Sequence, residues 1–193
     1  MGGGRCANYL PNDSAAAVER TSGPARPTQA ERPADVIDLD LDWNRLTDIQ
    51  FCANGTNCQV YFANLDQHGE RVPVVVKMLR PDLEGDKTVK AKLEHEIALL
   101  PNLRHRSIVR MFGAGYQPRQ FLVLERLDST LSETLSHERK HPAQRPRRGP
   151  FAMPWRTLLT HSVRLCEVLD WLHHGRNPDV VTMHRDLKPQ NIG

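Results

Sequence analysis

The densest set of chemically capable side chains lies near the C-terminal end, in Met183-His184-Arg185-Asp186-Leu187-Lys188-Pro189-Gln190-Asn191. Asp186, Lys188 and Asn191 bring together a carboxylate that can accept a proton, an ammonium that can neutralise an anion, and a carboxamide whose oxygen suits a hard cation. Taken singly, each is equally well read as a solvated loop residue. A second cation, Lys77, follows Val74-Val75-Val76. A lysine so placed on a strand can also simply extend past its apolar neighbours to water. Glu94 and Glu96 lie downstream in a stretch with helical periodicity and would point about 200° apart on it, so only one of them can face a given partner. His173-His174 and the other histidines show no metal-ligand spacing, and ordinary helix-end positions account for them.

The order and spacing of these pieces resemble the eukaryotic protein kinase family. His184-Arg185-Asp186 is followed by Lys188-Pro189 and by Asn191 five residues after the aspartate, which matches the family's catalytic loop. In that family the lysine two residues after the aspartate marks the serine/threonine branch. The resemblance implies phosphoryl transfer, which asks a protein for positioning and charge neutralisation. Asp186 would accept the substrate hydroxyl's proton, Lys188 would steady the transferring phosphate, and Asn191 would hold a magnesium ion. Val74-Val75-Val76-Lys77 resembles the strand whose lysine binds the α and β phosphates of ATP, and Glu96 matches the helix glutamate that pairs with it. Ala53, Gly55, Cys58 and Val60 can be laid on the glycine-rich loop, where only the middle glycine is retained. Cys58 then places a side chain near the phosphates, either as a small packing residue or as a reactive thiol. Phe121-Leu122-Val123-Leu124-Glu125-Arg126-Leu127 resembles the fifth strand and hinge. Leu124 would be the gatekeeper, main-chain groups of Glu125 and Leu127 would meet adenine, and Val60 and Val75 would sandwich its ring. Leu100, Met111 and His184 match the apolar column that joins the two lobes.

The elements that must hold these residues can be read from pattern. Short β-rich runs at 49–53 and 59–64 flank the turn-forming Asn54-Gly55-Thr56-Asn57, and a strand at 71–79 follows a second turn. Val89, Leu93, Ile97 and Leu100 recur at helical spacing, with Asp86 as the expected N-cap. Strands are expected at 108–113 and 120–124. Thr130-Leu131-Ser132-Glu133 has capping-box spacing ahead of a short helix. Pro154 opens a helix to 174 whose Trp155, Leu158, Leu159, Leu165, Leu169 and Leu172 share a face, and 180–183 is one more strand. The expected fold is α+β: a two-lobed kinase-like fold, truncated, with a five-stranded antiparallel N-lobe, its helix, and the first helices of the C-lobe. The expected layout is a disordered tail at 1–35, an extended linker or edge strand at 36–46, and an incomplete kinase domain at 47–193 with a basic insertion at 137–153. The family's Asp-Phe-Gly and Ala-Pro-Glu segments do not occur in the sequence. The 193 residues alone are therefore expected to be inactive, with an exposed apolar face on the 154–174 helix.

Composition narrows the classes further. The chain has 193 residues, 39% of them hydrophobic, with 26 Lys and Arg against 23 Asp and Glu. Its excess of positive charge is concentrated in His-Glu-Arg-Lys-His-Pro-Ala-Gln-Arg-Pro-Arg-Arg at 137–148, which lacks interleaved aromatics, so a nucleic-acid-binding face is not expected. No apolar stretch approaches the length of a membrane span, and the first thirty residues lack a signal-peptide core. Cys6, Cys52, Cys58 and Cys166 have neither paired nor CxxC spacing, which suggests reduced thiols. ATP and Mg²⁺ as cofactors, a protein substrate, and a cytoplasmic or nuclear setting complete the expectation. A non-catalytic nucleotide-binding or scaffold module is the alternative.

Overall fold

A computed structural model of the chain describes residues 17–19, 37–67, 69–140, 153–175 and 180–193. In chain order the elements are β1 (Ala17–Glu19), β2 (Leu46–Asn54), β3 (Cys58–Gln67), β4 (Glu70–Leu79), α1 (Lys87–Leu99), β5 (Met111–Gly115), β6 (Phe121–Glu125), α2 (Leu131–Lys140), α3 (Trp155–Asp170) and β7 (Val180–Thr182). Strands β2 to β6 form one antiparallel sheet in the order β2-β3-β4-β6-β5. The architecture is α+β: a five-stranded antiparallel lobe carrying one helix, followed by the first helices of a second lobe.

Strand β4 sits at the centre of that sheet and explains the position of Lys77. From Val74 to Leu79 it is buried on both faces, and side chains alternate between them. Val74, Val76 and Met78 join Leu65, Phe121 and Val123 in the core on one face. On the other face Leu79 joins Cys58, Leu122, Leu124 and the buried stripe Val89, Leu93 and Ile97 of α1. By alternation Val75 and Lys77 project to this second face, the side that α1 covers.

Local signals in the sequence set the helix starts. Asp86 caps α1, its carboxylate accepting from the Thr88 and Val89 amides at 2.8 and 3.2 Å. Thr130 and Glu133 form the reciprocal capping box of α2. The Thr130 amide donates to Glu133 Oε2 at 2.9 Å, and the Glu133 amide donates to Thr130 Oγ1 at 3.3 Å. Helix α3 ends in a π-helical turn, Trp171–Gly175. Its C-terminal half buries Val168 and Leu172, whereas Trp155, Leu158, Leu159 and Val163 near its start are exposed. The His105 ring lies 5.1 Å from that of Trp171, and Arg106 pairs with Glu167 at 2.9 Å, tying the loop after α1 to α3.

The segment ahead of β2 is bound to the sheet. Asp38 and Gly113 form a parallel bridge. Ala114 donates to the Asp38 carbonyl and accepts from Leu41, both at 2.8 Å. Leu41 is buried in the core, and the Trp43 ring meets Phe121 edge-on at 5.1 Å. Of the tail expected at 1–35, only 17–19 is described, and it pairs antiparallel with β7. Most of the expected basic insertion, 141–152, lies outside the described residues. The cysteines correct the sequence reading: Cys58 and Cys166 are free thiols, but Cys52 is disulfide-bonded. No helix among the described residues is long and apolar enough to cross a membrane.

Candidate active site

Lys77 is brought to its partner by the strand alternation just described. Its Nζ lies 2.6 and 2.8 Å from the two carboxylate oxygens of Glu96. The lysine side chain is only 4% exposed and the glutamate 24%. An ammonium so deeply placed requires a counter-charge, and both carboxylate oxygens of Glu96 supply it. Glu94 is exposed on the other side of α1, as the helical angle dictates. The pair leaves a cation fixed beside β4 that can meet an anion.

The second cluster follows β7. Lys188 Nζ lies 2.8 Å from Asp186 Oδ2. Asn191 Nδ2 donates to the same oxygen at 3.0 Å and to the Asp186 carbonyl at 2.8 Å. The loop is shaped by Arg185, whose φ of 61° is left-handed, and by the Asp186 amide, which donates to the His184 carbonyl at 2.9 Å. His184 is half-buried, and that burial lowers its pKa from the usual histidine value, so at neutral pH its ring serves as an acceptor. Asn191 Oδ1 is buried and has no hydrogen-bond partner among the described residues. A buried carbonyl oxygen left without a donor is a ready ligand for a hard cation. The end of this loop abuts the segment after β6, where the Leu131 amide donates to the Ile192 carbonyl at 2.7 Å.

A small apolar group is formed by the same sheet and the segment after β6. Val60 and Val75 are buried together, with Cys52, Phe62 and Leu127 packed against them. The Arg126 guanidinium stacks over the Phe62 ring at 3.9 Å. Leu124 belongs to the α1 side of the core, beside Leu79 and Ile97. Glu125 is tied back to the preceding strand connection: its amide donates to the Arg110 carbonyl at 2.8 Å, and its carboxylate accepts from the Arg110 amide at 3.0 Å. The hairpin between β2 and β3 is closed by the Gly55 amide donating to the Cys58 carbonyl at 2.7 Å. Cys58 does not turn its side chain toward the outside of the hairpin. It is buried against Leu79, Val89 and Leu93, and that burial pushes its thiol up to about 11. The thiol therefore stays protonated at neutral pH, which removes the reactive reading and leaves the packing one.

A family model described as "Protein kinase domain" matches residues 48–192. The chain belongs to the protein kinase family. Its relatives include a serine/threonine-protein kinase SSN3 of Chaetomium globosum, 28% identical over 77% of this chain and 28% of its own length. The serine/threonine-protein kinase VIK of Arabidopsis thaliana is 29% identical over 62% of this chain and 24% of its own length. A probable serine/threonine-protein kinase of Streptomyces coelicolor is 29% identical over 72% and 19%. The chain thus spans about a quarter of the length of the curated relatives it matches.

Within the kinase fold, the sequence-derived residues fall into three groups that the structure brings together: Lys77 with Glu96, Asp186 with Lys188 and Asn191, and Val60 with Val75 and Leu127. Leu100 packs in the same cluster as Met111. Sequence reasoning did not find Arg80, whose side chain reaches the Gly55 and Thr56 carbonyls, nor the Arg126–Phe62 stack. Neither pair has a spacing that announces it, because the partners are brought close only by strand pairing. The orphaned Asn191 oxygen suits magnesium in kind, as one neutral ligand of the several that such an ion takes.

Proposed function

We propose that the protein transfers the γ-phosphate of ATP to serine or threonine hydroxyls of protein substrates. The observation that carries this reading is the Asp186–Lys188–Asn191 cluster, three side chains meeting at one carboxylate oxygen. Asp186 accepts the proton of the attacking hydroxyl, and Lys188 neutralises charge on the transferring group. Lys77, held by Glu96, binds the α and β phosphates. Ala53, Gly55 and Cys58 border them through the main chain. Val60 and Val75 sandwich the adenine, main-chain groups of Glu125 and Leu127 hydrogen-bond to its edge, and Leu124 closes the back of the slot. Asn191 would hold Mg²⁺, which when bound neutralises phosphate charge. Lys188 at this position supports the serine/threonine specificity. A cytoplasmic or nuclear setting, where ATP is supplied, belongs to the same proposal.

The test is phosphate transfer from labelled ATP to a generic protein substrate by the full-length protein. Asp186→Asn is expected to slow transfer about a thousandfold, the range for removal of a general base. Transfer at the wild-type rate by that variant would refute the assignment. The 193 residues alone are proposed to be inactive, since Asn191 by itself offers too little charge to hold Mg²⁺ under the phosphates. Metal-dependent, Asp186-dependent transfer by this chain would overturn that part. One observation favours a second reading, a nucleotide-binding or scaffold module without transfer: the hairpin over the phosphates keeps one glycine, Gly55, between Ala53 and Cys58.

A further inference from the structure

The hairpin between β2 and β3 is fastened from one side. Three consecutive carbonyls, those of Gly55, Thr56 and Asn57, accept from a single residue at the end of β4. Arg80 Nη1 donates to the Gly55 and Thr56 oxygens, each at 3.4 Å, and the Arg80 amide donates to the Asn57 oxygen at 3.1 Å. The guanidinium is itself held in a fork, with Asp82 Oδ1 accepting from Nε at 3.0 Å and Oδ2 from Nη2 at 2.6 Å. Pro81 between the two residues fixes the backbone that lets them meet. At the start of β3, Cys58 is sunk into the α1 core.

A loop of three glycines samples many conformations and must lose that freedom when it closes on a ligand. Here two of those positions carry side chains, one of them buried, and a planar cation spans the carbonyls of the turn. A guanidinium can bond two carbonyls and a carboxylate at once because its donors lie in a rigid plane, which an ammonium cannot reproduce. We propose that Arg80 is a positioning residue that holds the hairpin 54–58 in its ligand-bound shape before a nucleotide arrives, so that nucleotide binding orders the loop at little further cost. This inference rests on the proposed placement of ATP phosphates beneath that hairpin.

Two measurements on the full-length protein test it: the dissociation constant for ATP with magnesium by calorimetry, and amide hydrogen exchange across 54–58 without ligand. Arg80→Ala is expected to weaken ATP binding about fivefold, the loss of a preorganised loop, and to speed exchange in the hairpin about tenfold. Arg80→Lys, which keeps the charge without the fork, recovers less than half of either effect. Asp82→Asn moves both readouts in the same direction by less. Unchanged affinity in Arg80→Ala, weaker affinity with unchanged exchange, or full recovery by Arg80→Lys would each overturn the proposal. Failure of the full-length wild-type protein to bind ATP, with exchange in the hairpin still dependent on Arg80, overturns the placement of the nucleotide and upholds the pinning.

Discussion

At the scale of single residues, burial decides what each ionisable group can do. Lys77 and Glu96 are nineteen positions apart, yet each needs the other once the lysine is buried on β4. Their pairing was legible because Glu96 matches the helix glutamate of the kinase family; the helical angle adds only that Glu94 must face elsewhere. The resemblance placed His184 in the catalytic loop and in the apolar column between the lobes, but the balance of burial and charge on its ring was not legible. Its half-burial disfavours the imidazolium, with the nearby Asp186 carboxylate opposing and Lys188 adding to that effect. The sign follows from linkage: a histidine whose folded pKa lies below its unfolded value binds fewer protons in the native state. Its contribution to stability is complete above the unfolded value near 6.5 and is lost as pH falls below it, until the lowered folded value is passed. Urea unfolding at pH 7.5 and 5.5 should therefore show a larger loss of stability for the wild type than for His184→Gln. Equal losses in the two proteins would show that His184 titrates in the folded state as it does in the unfolded chain.

At the scale of elements, the least expected feature is how firmly residues 37–45 join the sheet. The alternation of apolar and acidic residues at 36–43 predicts an extended course, but the stretch turns at 39–40 and ends in a 3-10 turn at Trp43–Arg45; its partner is not predicted either, because a two-residue period fits any sheet edge. The partner is β5, and the contact is close because β5 carries glycines where the segment crosses. A Cβ on Gly113 would run into the Asp38 carbonyl oxygen and come within 2.8 Å of Leu41 Cδ1. Both neighbours are fixed, Leu41 by burial and Asp38 by its backbone bonds to β5. Gly113→Ala should therefore destabilise the lobe by about 2 kcal/mol, the scale of overpacking in a closed core. Gly85 is the control: nothing lies within 4 Å of an added Cβ there, and Gly85→Ala should leave the urea midpoint nearly unchanged. Equal midpoints for the two variants would mean that the segment lifts from β5 at little cost. The five strands of the main sheet, α1 and both helix caps were legible for the opposite reason. Their signals are local, as with Asp86 ahead of Val89 and Thr130 ahead of Glu133, and need no knowledge of which strand lies next to which.

At the scale of the whole molecule, the two ends of α3 behave differently. The C-terminal half is anchored through Val168, Leu172 and the Trp171 contact with His105. The N-terminal half presents Trp155, Leu158, Leu159 and Val163 to solvent, with Trp155 62% and Leu159 55% exposed. Spacings of three, four and eight residues put these side chains along one side of the helix. A contiguous apolar stripe of that kind drives association, since covering it removes apolar surface from water. The chain should therefore self-associate with rising concentration. Trp155→Glu combined with Leu159→Lys should shift sedimentation toward monomer while leaving helix content by circular dichroism unchanged. The stability change should stay within about 0.5 kcal/mol, because neither side chain is packed against the core. Monomeric sedimentation of the wild type across the accessible concentrations would show that the stripe is covered by other residues of the chain itself. If the double variant instead lost helix content, the exposed half of α3 would owe its helical form to association, and only the half anchored by Val168, Trp171 and Leu172 would be held from within.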